Sequence, residues 1–572
     1  MKTKDQKKGN GMTGAEIVAH SLLKARVPFV FAYPGAASMA LHHALQEAGV
    51  RVILPRHEQG GAFAAGGYAR KTGEIGVCMA TSGPGATNLV TGIADACADS
   101  VPMVVITGQV NQHLIGKNAF QETDIIGMTR LCVKHSYLVL EPKELPQVFA
   151  EAFYLAKNGR PGPVVIDIPW DVQQAMCIPE FTEDPCLHRV MADMTPKEED
   201  VSALKEMLKE SRRPCVFAGG GVIHSNAAQE LLTFAETYQI PVATSLMGVG
   251  AFPENHRLSL KWLGMHGCYA ANKAVHECDL LLGIGVRFSD RVTGDIKKFA
   301  PRAKIVHVDV DPSEINKNKH ADLPIVCDAK GLLHAMLEKP ERGVRHDFWQ
   351  ELTDKWKTEH PFKYKNTNDL SIMGQQVVSR LSDLTGGKAT IVTGVGQNQM
   401  WAAQFYNYNR PRQLLTSGGL GAMGFGLPTA IGAKLAAPDE TVILIDGDGG
   451  FQMNIQELAT VYALNLPVKM LILNNQTLGM VSQWEDQFYD GNHADTDMTV
   501  ERAGRPYPNF VQIAKGYMIE GREVWKSDEL DDALKAMLES SGPYLLDIHT
   551  TAKDCVRPMI PNGNTCENII LD

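Results

Sequence analysis

Nine short runs rich in Val, Ile and Leu punctuate the chain: VPMVVITG, GPVVIDIP, CVFAGGG, DLLLGIG, AKIVHVDVD, ATIVTGVG, TVILIDGDGG, VKMLILNN and PYLLDIHT. Strands this apolar are buried on both faces, and helix-length segments separate the runs. The pattern therefore predicts α/β architecture, with βαβ units building parallel sheets. Two charged, proline-bearing stretches, 179–200 and 338–369, break the rhythm and read as linkers. They leave three domains, 1–180, 195–338 and 370–572, each of ordinary domain size. Each is expected to hold a central, mostly parallel sheet flanked by helices.

Composition narrows the function classes. No apolar run approaches the roughly 18 residues that a membrane span needs, so no membrane partner is expected. A formal net charge of -10 argues against a nucleic-acid partner held through phosphates. The opening MKTKDQKKGNGMTGAE is basic and polar and reads as a disordered start to a cytoplasmic protein. The 11 cysteines show no C-x-x-C spacing, as expected of buried reduced thiols.

The segment GDGGFQMNIQELATVYALNLPVKMLILNNQ, residues 447–476, carries the strongest chemical signal. TVILI is a buried strand. Ile455, Leu458, Ala459 and Tyr462 fall at helical spacing, and VKMLIL is the next parallel strand. In a right-handed βαβ unit both strands end on one edge of the sheet, so Asp448 and Asn475 can face one crevice. A carboxylate, an amide oxygen and nearby carbonyls suit Mg²⁺, and a glycine turn entering a helix suits a diphosphate. No G-x-x-x-x-G-K-[ST] phosphate loop occurs.

This pairing resembles the metal-diphosphate motif of thiamine-diphosphate enzymes. The resemblance implies Mg²⁺ held by Asp448, Asn475 and the backbone carbonyl of Thr477. It implies thiamine diphosphate bound by Gly396, Gln397, Asn398, Gly421, Met423, Gly447, Asp448, Gly449, Gly450, Asn475, Gly479 and Met480. The family also needs a glutamate that hydrogen-bonds the pyrimidine ring nitrogen. Glu58 in LPRHEQGGAFAAGGYAR is similar to that motif, and a working Glu58 is expected to be desolvated.

Seven further motifs occur in one family's order: FAYPGAASMALHHAL, ATSGPGATNLVTGIADA, TGQVNQHLIGKNAFQETDI, LGMHGCYAANKAVHECDLLLGIGVRFSDRVTGD, HVDVDPSEINKN, TSGGLGAMGFGLPTAIGA and GMVSQWEDQFY. They resemble the catalytic subunits of acetohydroxyacid (acetolactate) synthases, from about residue 12 onward. The resemblance implies pyrimidine-binding, FAD-binding and diphosphate-binding domains in that order. It implies a transferase that decarboxylates pyruvate and joins the remainder to a second small 2-oxo acid, the first common step of branched-chain amino-acid biosynthesis. Met423 is expected under the cofactor, forcing its bent shape, and Phe120, Gln121 and Lys134 at the active site. Arg291 is expected to bind the second substrate's carboxylate, and Trp484 to favour the larger 2-oxobutyrate. Apolar Met423, Met480 and Phe120 suit loss of CO₂ from a charged adduct.

In the middle domain FAGGGVIHS and VHVDVDPSE point weakly to a dinucleotide, without the full G-x-G-x-x-G. The resemblance supplies a structural FAD, at Arg160, Gly220, Gly221, Leu246, Met247, Met265, His266, Gly285, Arg287, Asp309, Val310 and Asp328. It also implies a homodimer or higher oligomer, with a separate regulatory small subunit as a further family partner. Departures from the family pattern fall at Ala36, Asn111, Trp170 and Ser289. His42 and His43, adjacent on one helix, project about 100° apart and are read as structural. A pyruvate oxidase, with redox-active FAD, is the rival enzyme. A silent nucleotide-binding scaffold is the rival from another class.

Overall fold

The computed structural model describes residues 11–182, 193–340, 346–364, 369–552 and 554–571. The first ten residues of the expected disordered start, and residues 183–192, 341–345 and 365–368 of the expected linkers, lie outside the described residues. The chain divides into two compact units. One comprises residues 1–191, 419–439 and 453–466; the other comprises 192–418, 440–452 and 467–572.

The first unit is built on six parallel strands: β1 (Val30–Ala32), β2 (Val52–Ile53), β3 (Gly76–Ala80), β4 (Met103–Gln109), β5 (His135–Leu138) and β6 (Pro163–Pro169). Their spatial order is β2-β1-β3-β4-β6-β5. Central β4 is buried throughout and pairs in register with β6 from Met103↔Pro163 to Gln109↔Pro169. A short antiparallel pair, Met12–Thr13 with Met176–Cys177, ties the ends of this segment together.

The helix Gly426–Ala436, expected in the third domain, belongs to this first unit because its backbone lies directly on the helix Glu58–Thr72. A methyl group on Gly67 would lie 2.3 Å from the Thr429 carbonyl oxygen, and one on Gly432 would lie 1.9 Å from that of Ala64. Only glycine admits so close an approach.

The second unit carries two more six-stranded parallel sheets. The first is formed by β7 (Pro214–Ala218), β8 (Val242–Thr244), β9 (Ser259–Trp262), β10 (Leu280–Ile284), β11 (Lys304–Asp309) and β12 (Leu323–Val326), in the order β9-β8-β7-β10-β11-β12. That is the doubly wound dinucleotide-binding order, with its switch point between β7 and β10. The second is formed by β13 (Thr390–Thr393), β14 (Leu414–Leu415), β15 (Val442–Gly447), β16 (Lys469–Asn474), β17 (Glu520–Val524) and β18 (Tyr544–His549). Its order, β14-β13-β15-β16-β18-β17, repeats the pattern of the first unit's sheet and puts a switch point between β13 and β15.

The stretch 338–369, expected to be a linker, contains a packed helix. Asp347–Glu359 lies in the second unit, with Trp349 and Trp356 buried and the Trp349 indole donating to the Pro214 carbonyl at 2.9 Å. Trp349, Leu352 and Trp356 recur at helical spacing, a signal that the surrounding charges obscure. Among the described residues, no helix is long and apolar enough to cross a membrane.

Candidate cofactor and substrate site

Residues expected to hold the metal and diphosphate meet in the second unit. Parallel pairing of β15 with β16, Gly447 opposite Leu473, brings Asp448 and Asn475 out at the same edge. The Asp448 carboxylate is 1% exposed and receives backbone N–H groups of Gly449, Asn475 and Gln476. Burial nevertheless pushes its carboxyl up to about 7. A buried acid this short of positive charge, beside an amide oxygen, is a donor set that suits a hard divalent cation.

The amide of Asn475 is oriented from both ends. Its Oδ1 accepts the Thr477 N–H at 3.1 Å, and its Nδ2 donates to Gln397 Oε1 at 3.4 Å. Gln397, the first residue of the helix Gln397–Phe405, is itself fixed by donating to Gln483 Oε1 at 3.1 Å and to the Asp554 carbonyl at 2.8 Å. Neighbouring Asn398 donates to the Ile445 carbonyl at 3.1 Å. Gly396, at φ 137°, makes the turn into this helix. These residues follow β13, β15 and β16, so they gather at the carboxyl edge beside the switch point of this sheet. Gln483 joins the cluster without any signal in the sequence, since its place inside a helical motif does not distinguish it.

Arg291, Met480 and Trp484 also converge in the second unit, around a cavity of about 550 Å³. The Arg291 guanidinium lies 5.6 Å from the Trp484 ring centroid, and Trp484 packs on Phe488 at 5.2 Å. Val481, Glu485, Tyr489, Asn492 and Ala494 complete the walls, and their residue types and spacing do not single them out.

The central sheet's switch point is a glycine cradle. Gly221 donates to the Gly285 carbonyl at 3.2 Å, and a methyl group on Gly219 would sit 2.0 Å from that oxygen. Gly285 itself has φ 60°. Asp309 and Val310 leave the tip of β11, and Leu246 and Met247 form a short helical turn after β8. Asp328 caps the helix Ala329–Glu338, accepting from Gly331 at 3.1 Å and from the Ser225 hydroxyl at 2.8 Å. His266 is buried and pushed down to about 4 by desolvation, so it is neutral; the Met265 carbonyl accepts the Ile560 N–H at 2.8 Å. The Arg287 carbonyl accepts from Asn318 at 2.9 Å. The close glycines and acidic strand tips suit a dinucleotide.

Glu58, Phe120, Gln121, Lys134, Arg160 and Met423 fall in the first unit. Glu58 opens the helix Glu58–Thr72, is half-buried, and accepts from Asn88 Nδ2 at 3.0 Å. Met423 sits between Gly421 and Gly424, at φ 69° and 80°, in a turn whose Gly424 carbonyl accepts from Asn454 Nδ2 at 2.8 Å. Phe120 is 88% exposed, and Gln121 follows it at φ 58°. The Lys134 ammonium, expected at the active site, is engaged by main chain instead: it donates to the carbonyls of Leu155 and Asn158, closing the helix Leu145–Lys157. Arg160 donates to the Ser100 hydroxyl at 2.9 Å.

The helix expected around residues 454–465 is shorter and turned differently. A 3₁₀ turn, Ile455–Glu457, leads into an α-helix, Leu458–Ala463. Tyr462, expected on the apolar face, is exposed, while Asn454, Glu457 and Thr460 are buried. Among the departures, Asn111 has a buried Oδ1 without a hydrogen-bond partner among the described residues, Trp170 is partly exposed, and Ser289 begins the helix Asp290–Thr293. Ala36 opens a short helical turn, preceded by a Gly35 whose added methyl group would lie 2.4 Å from the Thr81 side chain. His42 is more buried than His43, which is exposed.

Comparison with known proteins identifies the family. Residues 12–128 match the N-terminal TPP binding domain of thiamine pyrophosphate enzymes, 201–336 their central domain, and 394–548 their C-terminal TPP binding domain. The chain is 53% identical to acetolactate synthase 1, chloroplastic, of Zea mays, over 98% of this chain and 89% of that protein. It is 50% identical to acetolactate synthase 1, chloroplastic, of Nicotiana tabacum, over 98% of this chain and 85% of that protein. Against the acetolactate synthase of Arabidopsis thaliana it is 49% identical, over 98% and 84%. With about half of its residues shared across nearly its whole length, and the three domain matches in order, the chain belongs to the acetolactate synthase family of thiamine pyrophosphate enzymes.

Proposed function

We propose that this chain decarboxylates pyruvate and joins the two-carbon remainder to a second 2-oxo acid. The products are acetolactate from pyruvate and acetohydroxybutyrate from 2-oxobutyrate. The observation that carries this reading is the presence, in one unit, of the Asp448–Asn475–Gln397 cluster and the Arg291–Trp484 cavity.

When bound, thiamine diphosphate would supply a nucleophilic carbon and an electron sink for loss of CO₂ from a 2-oxo acid. Asp448, the Asn475 amide oxygen and the Thr477 carbonyl would hold Mg²⁺, whose charge would neutralise the diphosphate. Gln397 and the glycines of the turns after β13 and β15 line its seat. Glu58 shares a proton with the pyrimidine ring nitrogen. Met423 would support the cofactor from below, and Met480 would line the reacting side with apolar surface that favours charge loss. Arg291 binds the second substrate's carboxylate through its guanidinium, and Trp484 contacts its alkyl end. The glycine cradle at β7 and β10 would hold FAD, in a structural role.

The acting form is a homodimer in which Glu58 serves a cofactor bound by the other copy. A cytoplasmic location is part of the proposal, whereas the plant relatives are named chloroplastic; cell fractionation tests it. The decisive assay analyses products from pyruvate, with and without 2-oxobutyrate, after stripped protein is resupplied with thiamine diphosphate, Mg²⁺ and FAD. Acetolactate supports the reading. Peroxide and acetate in its place would establish an oxidase and overturn it.

A further inference from the structure

Glu457 lies nine positions beyond Asp448, on the short segment 453–466 that belongs to the first unit, and its carboxylate is 1% exposed. Its Oε1 accepts two backbone N–H groups, those of Arg56 at 2.8 Å and His57 at 3.1 Å. These are the two residues immediately before Glu58. Its Oε2 accepts the Thr460 hydroxyl at 2.7 Å, and Gly60 packs so closely that an added methyl group would lie 2.5 Å from Oε1. Three residues earlier, Asn454 Nδ2 reaches Gln59 Oε1 at 3.2 Å and the Gly424 carbonyl at 2.8 Å. Every residue flanking Glu58 from 56 to 60 thus has a contact to Asn454 or Glu457.

A buried carboxylate used mainly to accept main-chain donors is costly unless the loop it holds must be kept in one place. His57 is the N-cap of the helix that Glu58 opens, and Arg56 precedes it, so neither N–H has a place in the helical ladder. The His57 ring nitrogen does cap, accepting the Gln59 N–H at 3.1 Å, but the N–H groups of residues 56 and 57 themselves fall to Glu457. Among the described residues, the Glu58 side chain is restrained by one hydrogen bond, from Asn88. Its direction is therefore set largely by the backbone beneath it.

We propose that Glu457 is a positioning residue for Glu58, fixing the peptides at 56 and 57 so that the Glu58 carboxyl meets the pyrimidine nitrogen. The proposal rests on the reading of Glu58 given above. It asks geometry of Glu457, not charge. A glutamine can supply one oxygen to both N–H groups and point its NH₂ at the Thr460 hydroxyl, which turns its proton to the Leu54 carbonyl 3.5 Å away. An aspartate keeps the charge but withdraws the oxygen by about 1.5 Å, one bond length, beyond hydrogen-bond reach.

The test measures, in full-length enzyme with Mg²⁺ and thiamine diphosphate, the rate at which the bound cofactor's C2 proton exchanges for deuterium. Glu58→Gln should slow it by about 100-fold or more, the scale of a lost acid–base partner. Glu457→Asp should slow it at least about tenfold, Glu457→Gln should stay within about threefold of wild type, and Glu58→Gln with Glu457→Asp should be no slower than Glu58→Gln alone. Thermal midpoints of all variants are measured alongside. Wild-type exchange in Glu58→Gln would remove the reading of Glu58 and this proposal with it. A slow Glu58→Gln beside a wild-type Glu457→Asp would overturn the proposal alone. So would a Glu457→Gln slower than Glu457→Asp, since charge would then be the requirement.

Discussion

Gly479→Ala tests the site at a close contact with two of its amides. A methyl group there would lie 2.2 Å from Gln397 Oε1 and 2.7 Å from Asn475 Nδ2, inside any real contact distance. Gln397 has no room to withdraw, because its amide nitrogen is already bonded to Gln483 Oε1 at 3.1 Å and to the Asp554 carbonyl at 2.8 Å. The strain is relieved in one of two ways: Asn475 turns away, or the helix Gly479–Phe488 moves. Inserting one methyl group into a packed site costs about 1–3 kcal/mol, and loss of the long Asn475–Gln397 bond adds no more than about 1 kcal/mol. If Asn475 turns, the cost falls on metal and diphosphate binding, and about 1–3 kcal/mol corresponds to roughly 5- to 150-fold weaker affinity for thiamine diphosphate at fixed Mg²⁺. If the helix moves, the thermal midpoint falls and Trp484, on the same helix, shifts with it. The assay is a calorimetric titration of stripped protein with thiamine diphosphate at saturating Mg²⁺, paired with a melting curve. A Gly479→Ala variant with both affinity and midpoint unchanged would refute the packing argument.

Chelating divalent ions should release thiamine diphosphate, measured as cofactor retained through gel filtration, and Asp448→Asn should raise the Mg²⁺ concentration needed to retain it; full retention with all divalent ions removed counts against the metal assignment. Trp484→Leu should lower the preference for 2-oxobutyrate over pyruvate by roughly 5- to 150-fold, because one methylene contact contributes about 1–3 kcal/mol; an unchanged product ratio rules out the Trp484 assignment. Glu254 is buried, with Oε1 unpartnered among the described residues and Lys261 3.9 Å from Oε2, and desolvation raises its carboxyl from 4.5 to about 7. The folded chain then holds this proton to a higher pH than the unfolded chain, so the stability it confers is complete below about 4.5 and declines as pH rises through about 7. Glu254→Gln should flatten that decline, by up to about 3 kcal/mol between pH 5 and 8, in denaturant titrations; an unaltered pH slope would contradict it.

The nine apolar runs all lie on strands of the three parallel sheets, because a strand buried on both faces must be apolar along its length. Strands without such a signal are short or at sheet edges, as with Val52–Ile53, Leu414–Leu415 and Glu520–Val524. Central β3, GVCMA, is the exception: Val77 stands alone among Gly, Cys, Met and Ala, and at Gly76 the Ala65 carbonyl leaves no room for a side chain. Asp448 and Asn475 are legible because strand tips on one edge must converge whatever surrounds them. The motif-borne residues Arg291, Met480 and Trp484 converge as well.

What the sequence hides is polar and internal. Periodicity assumes that the buried face of a helix is its apolar face, and in residues 454–463 that assumption fails. Tyr462 is turned to solvent while Asn454, Glu457 and Thr460 are turned in, because the surface they meet offers main-chain and amide donors and acceptors at residues 54–60 and 424. Gln483 is hidden for the same reason, since its partners are another amide and the backbone of Val556. Residues that carry chemistry advertise themselves by type and spacing, but residues that aim them are recognised only by what they hold, and that is settled by tertiary contact. A helix whose polar residues face inward at hydrogen-bond distance from a catalytic loop is therefore read better as an anchor for that loop than as a defect in its amphipathic pattern.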